Sequence, residues 1–246
     1  MPVRLSPTQF TAVIQPWAEV AEPIHRRLAR LIDAEPGQEV LWIGCGAGRP
    51  VLWWTKRFET HVEGIDPDPK AIDAAEAAAR ETGLSRYSTF QTAMPTNLPH
   101  EAEVFDVTCA DMLHLLGVDG AQVLQEAARV ARPMSTVAAL VPCWLSAPDP
   151  NDASMLASFG LVPQLLMEWK SAFRLAGVVE ITVEDSAQDG KWIAQGGFGT
   201  LVRGWWAARW AGVTSVLSQE FKALRAMAQR RVLGLSIIKG IRWPHE

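Results

Sequence analysis

Three glycines at every second position (Gly44, Gly46 and Gly48), an aspartate about twenty residues further on (Asp66), and the nearby pair Asp111 and His114 have types and spacing that suit chemistry. Glycine removes the side chain where a ligand must lie against backbone. A carboxylate at the end of a strand can accept hydrogen bonds from both hydroxyls of a ribose. Histidine, with a reference pKa of about 6.5, is suited to take a proton near neutral pH. His114 therefore reads either as a general base or as a packed or solvent-bonded histidine. Asp111 reads either as a ligand contact or as the cap of the next segment.

These residues need rigid elements to hold them. Val40 to Ile43 is a short β-branched and large apolar run, the pattern of a strand buried on both faces of a parallel sheet, and it runs directly into the glycine turn. Pro50 fits the first turn of a helix over Val51 to Phe58, so the turn should point free N–H groups at the mouth of the sheet. His61 to Ile65 reads as the second strand and ends at Asp66. Asp68 and Pro69 form an N-cap and first-turn pair for a helix from Lys70 to Thr82, closed by Gly83. Further strands are expected over Tyr87 to Gln91, Phe105 onward, Thr136 to Val141, Val178 to Glu184 and Leu235 to Trp243. Helices are expected over Ala121 to Ala131 and Gln164 to Ala176, with Pro142 to Asp152 a loop. A helix from Pro23 to about Ala34 precedes them, its apolar side formed by Ile24, Leu28 and Leu31.

Two cofactor classes use a glycine turn after a first strand. The dinucleotide fingerprint G-x-G-x-x-G needs a third glycine where this chain has Arg49. The G-x-G-x-G spacing instead resembles the first motif of the class I S-adenosylmethionine-dependent methyltransferases. Asp66, the Phe105-Asp106-Val107 start of the fourth strand, the Leu113-His114 pair and the run Val123 to Pro133 resemble that family's later motifs, in order, over about residues 37 to 142. The resemblance implies a Rossmann-like α/β fold with a seven-stranded, mostly parallel sheet, helices on both faces, and S-adenosyl-L-methionine as cofactor. It implies a cofactor site at Gly44, Cys45, Gly46, Gly48, Asp66, Pro67, Ala93, Met94 and Asp111, and catalytic roles for His114 and Asp111.

Three positions depart from the family pattern. An acidic residue usually meets the adenine amino group after the third strand, where this chain has Thr92, Ala93 and Met94. Backbone groups of Ala93 and Met94, with the Met94 side chain on the ring face, are the expected substitutes. The usual Pro-Gly-Gly before the fifth strand is Pro133-Met134-Ser135, and the usual acid that opens the first motif is Trp42. Two rival readings are a nicotinamide oxidoreductase and a non-catalytic module docking a partner. The first is opposed by Arg49 and by the single tyrosine, Tyr87, which has Gln91 rather than lysine four residues on.

At 246 residues the chain is long enough for one α/β domain. It divides into an N-terminal arm and helix (1–36), a cofactor core (37–184), a helical insertion (185–232) and a closing strand (233–246). Residues 191–246 hold nine Lys or Arg against two Glu, and five of the eleven tryptophans, on an otherwise acidic chain. That composition reads either as a solvated basic helix face over core tryptophans or as a lid enclosing a small apolar, aromatic or lipid-like acceptor. The basic face of such a lid also suits peripheral contact with an anionic membrane. The acidic body disfavours nucleic acid. No apolar run is long enough to span a membrane, and no signal-peptide core is present, so a cytoplasmic location is expected. Cys45, Cys109 and Cys143 read as buried thiols, and no His or Cys set has metal-ligand spacing. The oligomeric state is not encoded in any motif.

Overall fold

The computed structural model describes residues 22–185, 223, 226, 227 and 230–244. The elements in order are α1 (Glu22–Ile32), β1 (Glu39–Ile43), α2 (Arg49–Phe58), β2 (His61–Asp66), α3 (Pro69–Thr82), β3 (Ser88–Thr92), β4 (Phe105–Asp111), α4 (Gly120–Val130), β5 (Ala131–Trp144), α5 (Pro150–Ser158), β6 (Gln164–Leu165), α6 (Leu166–Leu175), β7 (Val178–Asp185) and β8 (Leu233–Arg242). The strands form one mixed sheet in the order β3-β2-β1-β4-β5-β8-β7, with β6 added beside the end of β5. Neighbours from β3 to β5 run parallel, while β8 is antiparallel to both β5 and β7. This is the expected Rossmann-like α/β sheet, with β6 as an eighth, two-residue strand.

Alternation along the strands sends side chains to two cores. Val40, Trp42, Cys109 and Leu140 face Leu28, Ala29 and Ile32 of α1 and Val51 and Trp54 of α2. Leu41, Ile43, Ala110 and Ala139 face Val123 and Leu124 of α4 and Trp169 and Phe173 of α6. Local chemistry sets the helix ends: Asp68 accepts from Lys70 N at 3.0 Å, Asp119 from Ala121 N at 2.9 Å, and Gly83 closes α3 with φ 72°.

Four sequence expectations change. The buried face of α1 is His25, Leu28, Ala29 and Ile32, whereas Leu31 is only half-buried. That rotates the helix so that a histidine faces the sheet. Strand β5 begins at Ala131 and contains Pro133, because residues 132–135 form a bulge: the β4 register steps from Phe105↔Ala131 to Val107↔Thr136, and Met134 has φ 63°. Pro133 therefore owes no N–H to the ladder. The expected loop before Asp152 gives way to α5, capped by Asp149 on Asn151 N at 2.8 Å with Pro150 in the first turn. Finally, Gln164 and Leu165 pair with Cys143 and Trp144 before α6 begins. The expected N-terminal arm and the lid over 185–232 lie almost wholly outside the described residues. Of the latter, Met227 is fully buried in the first core, and Arg230 meets Asp152 at 3.1 Å.

Candidate active site

The sheet order β2-β1-β4 brings the three chemical stretches to one edge. Ile43 is in register with Ile65 on one side and Ala110 on the other, so the glycine turn, Asp66 and Asp111 emerge side by side at the carboxyl ends of their strands.

The turn differs from expectation in how its N–H groups are used. Gly44 N and Cys45 N both donate to Ile65 O, at 2.7 and 3.0 Å, and Gly48 N donates to Cys45 O at 3.0 Å. Gly46 N donates to Asp66 Oδ2 at 2.8 Å. Four donors that would line a phosphate cradle are thus spent inside the protein, because β1 and β2 are neighbours and the turn folds back on the end of β2. Gly44, Gly46 and Gly48 have φ of 81°, 51° and 79°. At two of them glycine also serves packing. A Cβ at Gly44 would lie 2.8 Å from Asp111 O, and one at Gly48 would lie 2.7 Å from Ala75 Cβ and 2.9 Å from the Phe90 ring.

Asp66 is 5% exposed, and its Oδ1 accepts a second N–H, from Asp68 at 3.0 Å. Burial pushes its carboxyl up, while those two backbone donors and His114 oppose the rise. Each oxygen keeps a lone pair beyond the bond it already accepts, so the group can still receive hydroxyls. Pro67 is half-buried beside it, and Asp68 serves as the cap of α3. Thr92 is paired with Asp66 across β2 and β3, and Ala93 N donates to Asp66 O at 3.2 Å. Met94 follows with 56% of its surface exposed, an apolar side chain at the rim.

Asp111 and His114 form a compact unit. Asp111 Oδ1 accepts from Leu113 N at 3.0 Å, His114 N donates to Asp111 O at 3.1 Å, and His114 Nδ1 lies 3.0 Å from Asp111 Oδ2. Both side chains are largely buried, at 9% exposure for His114 and 4% for Asp111. A carboxylate oxygen this close to one ring nitrogen can orient an imidazole for proton transfer. Asp111 is thus both a local turn cap and the partner of His114.

The structure adds a residue that the sequence reading did not single out. His25 of α1 is buried beside this unit, with its ring 5.4 Å from the Trp42 ring and 5.8 Å from that of Trp53. Burial lowers its pKa to about 4, with Asp111 pulling it up and His114 pushing it down. The available signal was a histidine three positions before Leu28 on a helix that also carries Arg26 and Arg30, both exposed, and the half-buried Arg27. Cys45 and Cys109 lie under the site with thiols pushed up by burial and by Asp66 and Asp111 respectively, which suits structural rather than nucleophilic cysteines. Among the described residues, no group of three or more His, Cys, Asp or Glu is placed to hold a metal ion.

Comparison with known proteins bears on the stretch of chain that carries this site. The family model described as a methyltransferase domain matches residues 40–134. The methyltransferase GfsG of Streptomyces halstedii is 33% identical over 122 residues, 49% of this chain and 43% of that protein. The 27-O-demethylrifamycin SV methyltransferase of Amycolatopsis mediterranei is 29% identical over 170 residues, 66% of this chain and 61% of that protein. The match thus spans about half the length of these relatives. Geranyl diphosphate C-methyltransferase from Streptomyces coelicolor A3(2) shares the fold with a TM-score of 0.68 at 18% identity, covering 88% of this chain and 80% of that one. The cyclase SpnF shares it with a TM-score of 0.70 at 20% identity, covering 99% and 98%.

Proposed function

We propose that this chain, whose residues 40–134 match a methyltransferase domain, is a class I S-adenosylmethionine-dependent methyltransferase that methylates a hydroxyl of a small apolar, aromatic or lipid-like acceptor. The observation that carries the hydroxyl assignment is the Asp111–His114 pair at 3.0 Å, one strand from the glycine turn and two from Asp66. S-adenosylmethionine, when bound, supplies a methyl carbon already activated by a positively charged sulfur. The acceptor oxygen forms the new C–O bond as the C–S bond breaks, with its electron pair returning to sulfur.

The residues of the chain bind, align and move one proton. Asp66 takes the ribose hydroxyls, the Gly44–Gly48 turn presents backbone without side chains, and Ala93 and Met94 border the adenine. His114 Nε2 takes the acceptor's hydroxyl proton, and Asp111 holds Nδ1 and stabilises the imidazolium that results. Alignment in a site closed to water contributes roughly 7–11 kcal/mol to such displacements. A relative named for 27-O-demethylrifamycin SV, a compound lacking a methyl on oxygen, supports an oxygen acceptor. The spent N–H groups of the turn disfavour a dinucleotide, whose pyrophosphate needs them.

The test is incubation of the full chain with methyl-labelled S-adenosylmethionine and a cell extract, followed by mass spectrometry. A labelled methyl ether is the expected product. Label on nitrogen or carbon alone overturns the oxygen assignment, and tighter binding of a nicotinamide dinucleotide than of S-adenosylmethionine overturns the cofactor.

A further inference from the structure

We propose that His25 is an acceptor-binding residue, whose imidazole holds the acceptor's hydroxyl group beside His114. The inference rests on the function proposed above and adds to it a residue from the other end of the chain and a preference for neutral hydroxyl compounds.

The buried face of α1 is otherwise apolar: Leu28, Ala29 and Ile32 pack on the sheet. A leucine at position 25 would serve packing alone. Instead, His25 is 8% exposed, and its Nδ1 is fully buried with no hydrogen-bond partner among the described residues. Its ring meets Trp42 edge-on, at 61° between planes, and the Trp42 Nε1 is likewise buried without a partner. Two adjacent rings thus each carry an unsatisfied polar atom, a pattern that needs an explanation in a packed interior. Asp111 does not supply the missing bond: its carboxylate is engaged by Leu113 N and lies against His114 Nδ1, and it makes no hydrogen bond to His25 Nδ1.

Placement on the sheet makes this a site rather than a defect. Trp42 is in register with Cys109, so Asp111, two residues further on, projects from the same face one step nearer the carboxyl edge. Helix α1 covers that face and carries His25 next to it. The charged and titratable groups that act on His25 are Asp111 and His114, and burial keeps the imidazole neutral. A neutral imidazole protonated on Nδ1 can donate to the acceptor's hydroxyl oxygen there while that hydroxyl gives its own proton to His114. Trp42 stands where the related methyltransferase motif carries an acid, so the ring beside His25 is uncharged.

Phenol is the probe for the test, added at millimolar concentration to the full chain saturated with S-adenosylhomocysteine, with the imidazole nitrogens followed by nitrogen-15 NMR. Phenol should shift the ring signals of both His25 and His114, and tetramethylammonium should shift neither. His25→Leu should weaken the phenol response at His114 at least tenfold, with S-adenosylhomocysteine affinity unchanged, and His25→Asn should retain part of it. Should the leucine variant fold poorly, the wild-type shifts and the asparagine variant decide the matter. A response at His114 with none at His25, or an unaltered response in His25→Leu, overturns the inference while the proposed function stands; it would leave a structural water as the partner of Nδ1. No phenol response at either ring also overturns it. Failure of the wild type to bind S-adenosylhomocysteine overturns the proposed function and this inference with it.

Discussion

Gly46 donates its backbone N–H to Asp66 Oδ2 at 2.8 Å, so the carboxylate that ends β2 also locks the turn that ends β1. One side chain therefore shapes the loop that it shares a ligand with. Asp66→Ala should weaken S-adenosylmethionine binding at least tenfold, since charge-assisted hydrogen bonds are worth roughly 1.5–3 kcal/mol each. Isothermal titration calorimetry checks this, and unchanged affinity would remove Asp66 from the site.

His114→Gln should lower turnover by two or more orders of magnitude, roughly the contribution of a positioned base, with little change in cofactor affinity. Asp111→Asn should also slow turnover, because it removes the charge 3.0 Å from His114 Nδ1 while keeping an oxygen for Leu113 N. Equal rates in wild type and His114→Gln would return the histidine to a packing role.

The depressed pKa of His25 makes stability depend on pH. Its unfolded value is 6.5 and its folded value about 4, so in that window the unfolded chain binds a proton that the folded chain refuses. The stability it contributes is complete above pH 6.5 and lost as pH falls toward 4, on the order of 3 kcal/mol in all. Asp66, whose folded carboxyl is raised, acts in the opposite sense at the acid end: the folded chain takes up its proton before the unfolded one. Urea midpoints measured from pH 7 to 5 should therefore fall in the wild type and fall less in His25→Leu. Parallel curves would contradict a buried neutral imidazole.

Gly48→Ala should destabilise the fold by roughly 2–4 kcal/mol, combining a left-handed φ of 79° with a Cβ placed 2.7 Å from Ala75 Cβ. Chemical denaturation measures it. A change below about 0.5 kcal/mol would show that α3 and Phe90 yield easily.

Arg129 of α4 holds the segment between β3 and β4: its guanidinium donates to His100 O at 2.8 Å and Leu98 O at 3.2 Å while pairing with Glu126, which itself accepts from Leu98 N. Arg129→Met should leave those two carbonyls without that donor and speed amide hydrogen exchange around Asn97 to His100 by tenfold or more. Unaltered exchange would assign the anchoring to Leu98 packing alone.

The amino-acid sequence by itself determined what depends on neighbours along the chain. The apolar run before Gly44, the caps at Asp68 and Gly83, and the strand ending at Asp66 are decided by side-chain periodicity and local hydrogen bonding, and each stands within a residue or two of where it was expected. Asp149 and Pro150 carried an equally local signal for α5 that a loop-like composition obscured. Tertiary structure decided the rest, for reasons of adjacency. Whether the turn's N–H groups are free depends on β2 lying beside β1, and whether Pro133 breaks β5 depends on how β4 pairs past it. A helix of period 3.6 tolerates several phases of its apolar stripe, and only docking on the sheet turned His25 inward, beside Asp111 and His114. That burial in turn set its charge state, because desolvation is a property of the surrounding fold rather than of the residue type.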